Sequence, residues 1–182
     1  MNQMVRFGSV LGVICLTATL VLAVTYEVTK PKIDAQIKAE EDAALKEVMP
    51  GADSFEAKTI EGIEYFEALK AGTLSGYCIK ASGPGYGGPV RIMVGMDKNG
   101  VIRGVSVLEQ QETPGLGSKI KEIKPGEKEP YFLKQFQGKD ARGVAVRRNI
   151  DAITGATISS KAVTDAINKT ANEFFSKIKE RQ

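Results

Sequence analysis

The chain has 182 residues, 42% hydrophobic and 26% charged, with a formal net charge of +3 at pH 7. That is room for one membrane anchor and one domain of ordinary size, and the absence of a dense basic patch argues against nucleic acid as a partner. There is no histidine, which removes His-based triads, His metal sites and imidazole-ligated haem together.

Residues 7–26 form a run of 20 without a charged side chain. At helical rise this run is roughly 30 Å long, the thickness of a bilayer core. Arg6 precedes it, and Lys30 and Lys32 follow, a charge bias too slight to orient the segment by itself. The run is longer than the apolar core of a secretory signal, and no A-x-A site follows it. Val13-Ile14 before Cys15 does not fit a lipoprotein signal either. An uncleaved transmembrane helix is expected. The two cysteines, Cys15 and Cys78, have no CxxC companion, which argues against zinc and iron–sulfur centres. Cys15 lies in the apolar run and Cys78 in a predicted strand far outside it, so no disulfide is expected.

Pro31 marks the expected start of a second helix. Ile33, Ile37, Ala44, Leu45 and Val48 continue at helical spacing, and Pro50-Gly51 ends it. The expected organisation is an anchor over 1–29, a stalk helix over 30–50 and a domain over 51–182.

In the domain, 52–62 is mixed and reads as loop. Strands are expected at 63–69, 74–80, 90–96 and 101–108. Asp97-Lys98-Asn99-Gly100 reads as a hairpin turn, with Asn-Gly supplying positive φ angles. This pattern is an antiparallel meander, and no Gly-x-Gly-x-x-Gly opens a helix, so a Rossmann NAD site is not supported. The glycine-rich stretch 83–89 has two open readings: a long hairpin loop, or a loop whose backbone approaches a ligand or partner closely. Glu112-Thr113-Pro114-Gly115-Leu116-Gly117 reads as a type II turn at Pro114-Gly115 leading into a short helix near 118–123. A short helix is expected at 131–136, and Val144-Ala145-Val146 is expected to return to the sheet. Arg147 and Arg148 are either solvated or available to balance phosphate charge.

The stretch Asp151-Ala152-Ile153-Thr154-Gly155-Ala156-Thr157-Ile158-Ser159-Ser160 gathers hydroxyls, a glycine and small residues before a helix. That helix is expected from Ser160 to Lys179, with Ala162, Val163, Ala166, Ile167, Thr170, Ala171, Phe174 and Ile178 as its apolar stripe and Ser159 or Ser160 as its N-cap. The stretch is open to two readings, a polar turn before a helix or a phosphate site at the positive helix end.

Asp151-x-x-Thr154-Gly155-Ala156-Thr157, with Ser159-Ser160 behind it, resembles the covalent flavinylation motif of the FMN-binding domain family. That family includes the G subunit of Rnf-type ion-motive electron-transport complexes and the C subunit of the sodium-translocating NADH:quinone reductase. Gly85-Tyr86-Gly87-Gly88-Pro89 and Glu112-Thr113-Pro114-Gly115-Leu116-Gly117 match in the family's order, behind an anchor. The resemblance implies an α+β fold: one N-terminal transmembrane helix and a small antiparallel-sheet FMN-binding domain flanked by helices. It implies FMN attached through a phosphoester to Thr157, with Thr154, Gly155, Ala156, Ser160, Glu112, Thr113, Gly115 and Leu116 around the cofactor. Family members often carry histidine shortly before the second motif; Gln110-Gln111 stand here instead, so imidazole contact to the flavin is excluded.

The resemblance also implies partners. These are a separate flavin transferase that uses FAD and releases AMP, and the iron–sulfur and flavin-bearing subunits of a complex in the cell (inner) membrane. The N-terminus would be cytoplasmic and the FMN domain extracytoplasmic. The chain would relay electrons in an ion-translocating ferredoxin:NAD+ oxidoreductase rather than catalyse alone. Alternatives are a C-type subunit, a stand-alone extracytoplasmic FMN carrier, or a scaffold whose motif is coincidental.

Overall fold

The computed structural model describes residues 3–180. The chain divides into two compact units, Met1–Glu40 and Glu41–Gln182. Helix α1 (Gln3–Val48) supplies the first unit and enters the second. Among the described residues it is the one helix long and apolar enough to cross a membrane. Its polar side chains suit that solvent: the hydroxyls of Thr17, Thr19 and Thr25 donate to carbonyls one turn back, at 2.8 Å each, so they need no water. Pro31 lies inside α1 rather than opening a new helix. Proline removes one amide from the ladder, and here the strong helix formers downstream carry the helix on.

The second unit is built on a five-stranded meander, β1 (Ser54–Ile60), β2 (Ile63–Lys70), β3 (Thr73–Pro84), β4 (Pro89–Asp97) and β5 (Ile102–Glu109), all antiparallel in sequence order. The expected loop at 52–62 is strand β1. Only Ile60 of that strand is buried, and a charged edge strand lacks the apolar alternation that announces a strand in sequence. Of the turn residues expected to be positive in φ, Gly100 is (91°) and Asn99 is not. Asp97 Oδ1 closes that turn instead, accepting from the amides of Asn99 and Val101. The expected strand at 144–146 is absent. Asn149 Oδ1 accepts from the Ala145 amide, and the Asn168 amide group donates to the carbonyls of Arg142 and Val144. Side chains thus satisfy backbone groups that a neighbouring strand would otherwise pair.

Both faces of the sheet are covered, which is why β4 reads as an unbroken apolar run from Ile92 to Met96. On one face lies α3 (Thr157–Glu180), with α2 (Tyr131–Lys134) and the 3₁₀ turn Gly117–Lys121. Phe174 of α3 packs edge-on against Tyr65 and Tyr77, at ring centroid distances of 5.0 and 5.2 Å, in the favoured aromatic geometry. On the other face, Ala44, Leu45, Val48 and Met49 pack on Ala68, Cys78 and Met93. Gly95 and Gly104 are direct partners across β4 and β5. A Cβ on Gly95 would lie 2.5 Å from the Val48 carbonyl oxygen, and one on Gly104 2.8 Å from Val48 Cα. The paired glycines are therefore the gap into which the end of α1 settles. Burial pushes the Cys78 thiol up to about 12, so it serves as a small core residue rather than a nucleophile.

Candidate functional site

The three motifs singled out in the sequence meet at one end of the second unit. They border an open cleft of about 530 Å³, lined by Tyr86 from the β3–β4 hairpin, by Glu112, Thr113, Leu116 and Gly117 after β5, and by residues 155–159 at the start of α3. That volume lies within the range of small-molecule and cofactor sites. Four large hydrophobic side chains of the second unit are about half exposed or more among the described residues: Tyr86, Leu116, Ile123 and Ile158. Three of the four line this cleft. Apolar groups left in water around one cleft mark a binding surface.

The turn after β5 has the expected chemistry. The Leu116 amide donates to the Thr113 carbonyl at 3.2 Å and Gly115 has φ 76°, as a type II turn requires. Leu116 is thereby held over Gly155, whose own φ is 80°; a Cβ there would stand 3.3 Å from Leu116 Cδ2.

Helix α3 begins earlier than its apolar stripe suggested, and neither serine caps it. Its first i→i−4 bond runs from the Ser160 amide to the Ala156 carbonyl at 3.0 Å, so the amides of Thr157, Ile158 and Ser159 precede the ladder and have no partner within it. Ser160 Oγ turns inward, accepting from the Ile153 amide and donating to the Ala156 carbonyl, both at 2.9 Å. Ser159 Oγ donates to Glu112 Oε2 at 2.5 Å. Alanine at the N-cap offers no side-chain acceptor. The amides of the first turn therefore stay available for an anion, beside the exposed Thr157 side chain.

Apolar walls and helix-start amides thus stand together, and residues of this kind would suit a ligand that carries both a ring and a phosphate. Thr157, Gly155, Ala156, Glu112, Thr113 and Leu116 come together in the lining. Thr154 and Gly115 are exposed outside it, and Ser160 is fully buried behind it. Arg147 and Arg148 are exposed in the turn before Ile150 and do not line the cleft. Arg142 is committed elsewhere: its guanidinium bonds Asp140 at 2.8 Å and holds that carboxyl below its ordinary range. Tyr86 and Ile158 are cleft residues that sequence reasoning did not assign. The signal was present, since each is a lone large apolar residue beside glycine or hydroxyl residues, but alternation and helical spacing do not read such positions.

Residues 85–172 match the FMN-binding domain family, and residues 1–48 match the RnfG N-terminal region. The chain belongs to the family of G subunits of ion-translocating oxidoreductase complexes. It is 34% identical over 183 residues, 91% of this chain and 87% of that one, to the G subunit of the ion-translocating oxidoreductase complex of Haemophilus influenzae strain PittEE. It is 33% identical over 196 residues, 93% of this chain and 90% of that one, to the G subunit of the Na(+)-translocating ferredoxin:NAD(+) oxidoreductase complex of Acetobacterium woodii. Among solved structures, the C subunit of the Na(+)-translocating NADH-quinone reductase from Parabacteroides distasonis matches with a TM-score of 0.49 at 27% identity. That match covers 62% of this chain and 61%, less than two thirds, of that one.

Proposed function

We propose that this chain is a membrane-anchored flavoprotein subunit that relays electrons through covalently bound FMN within an Rnf-type ion-translocating ferredoxin:NAD+ oxidoreductase. The observation that carries the proposal is the cleft, where exposed Tyr86, Leu116 and Ile158 surround the free amides and the Thr157 hydroxyl at the start of α3. FMN, when bound, supplies one- and two-electron transfer. The chain's residues do the rest. Leu116, Tyr86 and Ile158 exclude water from the ring, and the helix-start amides of α3 receive phosphate oxygens.

Attachment is a phosphoryl transfer. The Thr157 Oγ–P bond forms, the pyrophosphate bond of FAD breaks, AMP leaves and the hydroxyl proton passes to a base. The chain has no histidine, and Glu112, the carboxylate in the cleft lining, already accepts three hydrogen bonds. No evident base stands beside the Thr157 hydroxyl, and in this proposal a separate flavin transferase, which the family resemblance implies, carries out the transfer, with Asp151, Gly155 and Ala156 as its recognition elements. Thr154, Gly115 and Ser160 support the site from outside the lining. Residues 1–29 anchor the chain, 30–50 form the stalk and 51–182 hold the cofactor, alongside iron–sulfur and flavin-bearing subunits.

The direct test is in-gel fluorescence. Protein made with a flavin transferase and run under denaturing conditions should carry yellow fluorescence at its own mass; a dark band would reject covalent FMN. The N-terminus is cytoplasmic and the FMN domain extracytoplasmic in this proposal, because family members meet their transferase there. A C-terminal reporter that is active only after export should be active, and activity from a cytoplasm-only reporter would reverse the topology.

Leu116→Ala separates holding the flavin from tuning it. Leu116 is half exposed, so the fold should persist and FMN should remain on Thr157. Admitting water to the ring should stabilise its charged reduced form and raise the midpoint potential by on the order of 30 mV, about 1.4 kcal/mol for two electrons. Spectroelectrochemistry of the loaded chain measures it; an unchanged potential and spectrum would put the ring away from Leu116.

A further inference from the structure

We propose that Glu112 is a positioning residue that fixes the register of the three cofactor-facing segments. The inference rests on the reading of the cleft as the FMN site. Glu112 is only 6% exposed. Its Oε1 accepts from the amides of Tyr86, at 2.8 Å, and Gly87, at 3.2 Å; its Oε2 accepts from Ser159 Oγ at 2.5 Å. One side chain thus ties the β3–β4 hairpin to the first turn of α3, and does so from the residue just before the turn that carries Leu116. Each tied segment presents one exposed apolar side chain to the cleft: Tyr86, Leu116 and Ile158.

The surrounding residues are shaped for that carboxylate. A Cβ on Gly85 would collide with Glu112 Oε1, and one on Gly117 with Glu112 Oε2 and with Ser159 Oγ. Glycine at both positions therefore makes room for the carboxylate head. Gln110 Oε1 accepts from the Glu112 amide at 2.6 Å, which holds the backbone from which the side chain reaches. All three partners of the head are donors, and a carboxylate is the side chain that offers acceptors only. A buried charge is tolerated when it is hydrogen-bonded in this way.

Two substitutions separate register from charge. In Glu112→Gln, Oε1 can keep both amides and Nε2 can donate to Ser159 Oγ once that hydroxyl rotates, so the geometry survives without the charge. Glu112→Ala removes all three bonds. Ser159→Ala cuts only the link to α3 and guards against an unfolded Glu112→Ala. Full-length chain co-expressed with a flavin transferase and purified in detergent is assayed for the FMN mass on the Thr157 fragment. Visible circular dichroism and flavin fluorescence are then measured per bound flavin.

Wild type and Glu112→Gln should match. Glu112→Ala and Ser159→Ala should keep the FMN mass, lose at least half of the flavin dichroism and fluoresce at least twofold more. Wild-type dichroism in Ser159→Ala, or a Glu112→Gln as impaired as Glu112→Ala, would overturn the positioning role. An absent FMN mass in wild type would instead reject the underlying reading of the cleft, and this inference with it.

Discussion

Thr157→Ala is expected to leave the chain with no covalent FMN and an intact fold. Thr157 is the first residue of α3, its side chain is exposed, and its hydroxyl makes no hydrogen bond within the protein among the described residues. Removing it should change stability by no more than about 0.5 kcal/mol, as for surface substitutions away from special features. The amides ahead of the helical ladder remain, so a noncovalent FMN could still bind weakly; gel filtration in detergent would strip it. Thr157→Ser keeps a hydroxyl at the same place and should retain part of the attachment. A yellow, denaturation-resistant Thr157→Ala protein would move the linkage to another residue, Thr154 first. Thr154 lies outside the cleft lining, and this is the structural reason it ranks second.

The largest effect on the fold is expected from Gly95→Val. Its Cβ would meet the Val48 carbonyl oxygen at 2.5 Å and Met49 Cγ at 2.9 Å. The first obstacle is backbone, so no rotamer change relieves it. Overpacking of this kind costs typically 1–3 kcal/mol, and about 3 or more is expected here because the end of α1 must lift from the sheet. Lifting it would also expose Leu45 and Val48, which are 3% and 0% accessible. Gly143→Ala is the matched control: nothing lies within 4 Å of its added methyl and its φ is ordinary, so it should shift stability by less than about 0.5 kcal/mol. Urea denaturation followed by circular dichroism compares the two. Equal midpoints would mean that the paired glycines do not seat α1.

How far the sequence could be read follows from what each segment buries. β2 to β5 were legible because they alternate or run apolar between turn residues. β1 was not, since an edge strand with charged residues has one buried side chain to announce it. The stretch 144–146 looked like a strand and is not, because Asn149 and Asn168, distant in sequence or pointing back along it, take the backbone bonds. α3 was legible along its length through its apolar stripe, but its start was not. Ser159 and Ser160 are good caps by composition, yet one serves Glu112 and the other the Ile153 amide, and tertiary partners of this kind leave no local trace. The meeting of the three motifs was implied by resemblance. Their connection through Glu112 was not, because a buried carboxylate shared by segments 26 and 47 residues away has no spacing rule. Tyr86 and Ile158 were passed over for a related reason: apolar residues that stay exposed fit neither periodicity.

Thr157, in the lining of the cleft, is the residue expected to carry FMN. Proteolysis of the full chain made with a flavin transferase, followed by mass spectrometry of every fragment, tests it most directly. An FMN increment is expected on the fragment containing Thr157, localised to that residue on fragmentation, with Thr154, Ser159 and Ser160 unmodified. An unmodified Thr157 fragment from protein exposed to an active transferase, or an increment on any other residue, would contradict it.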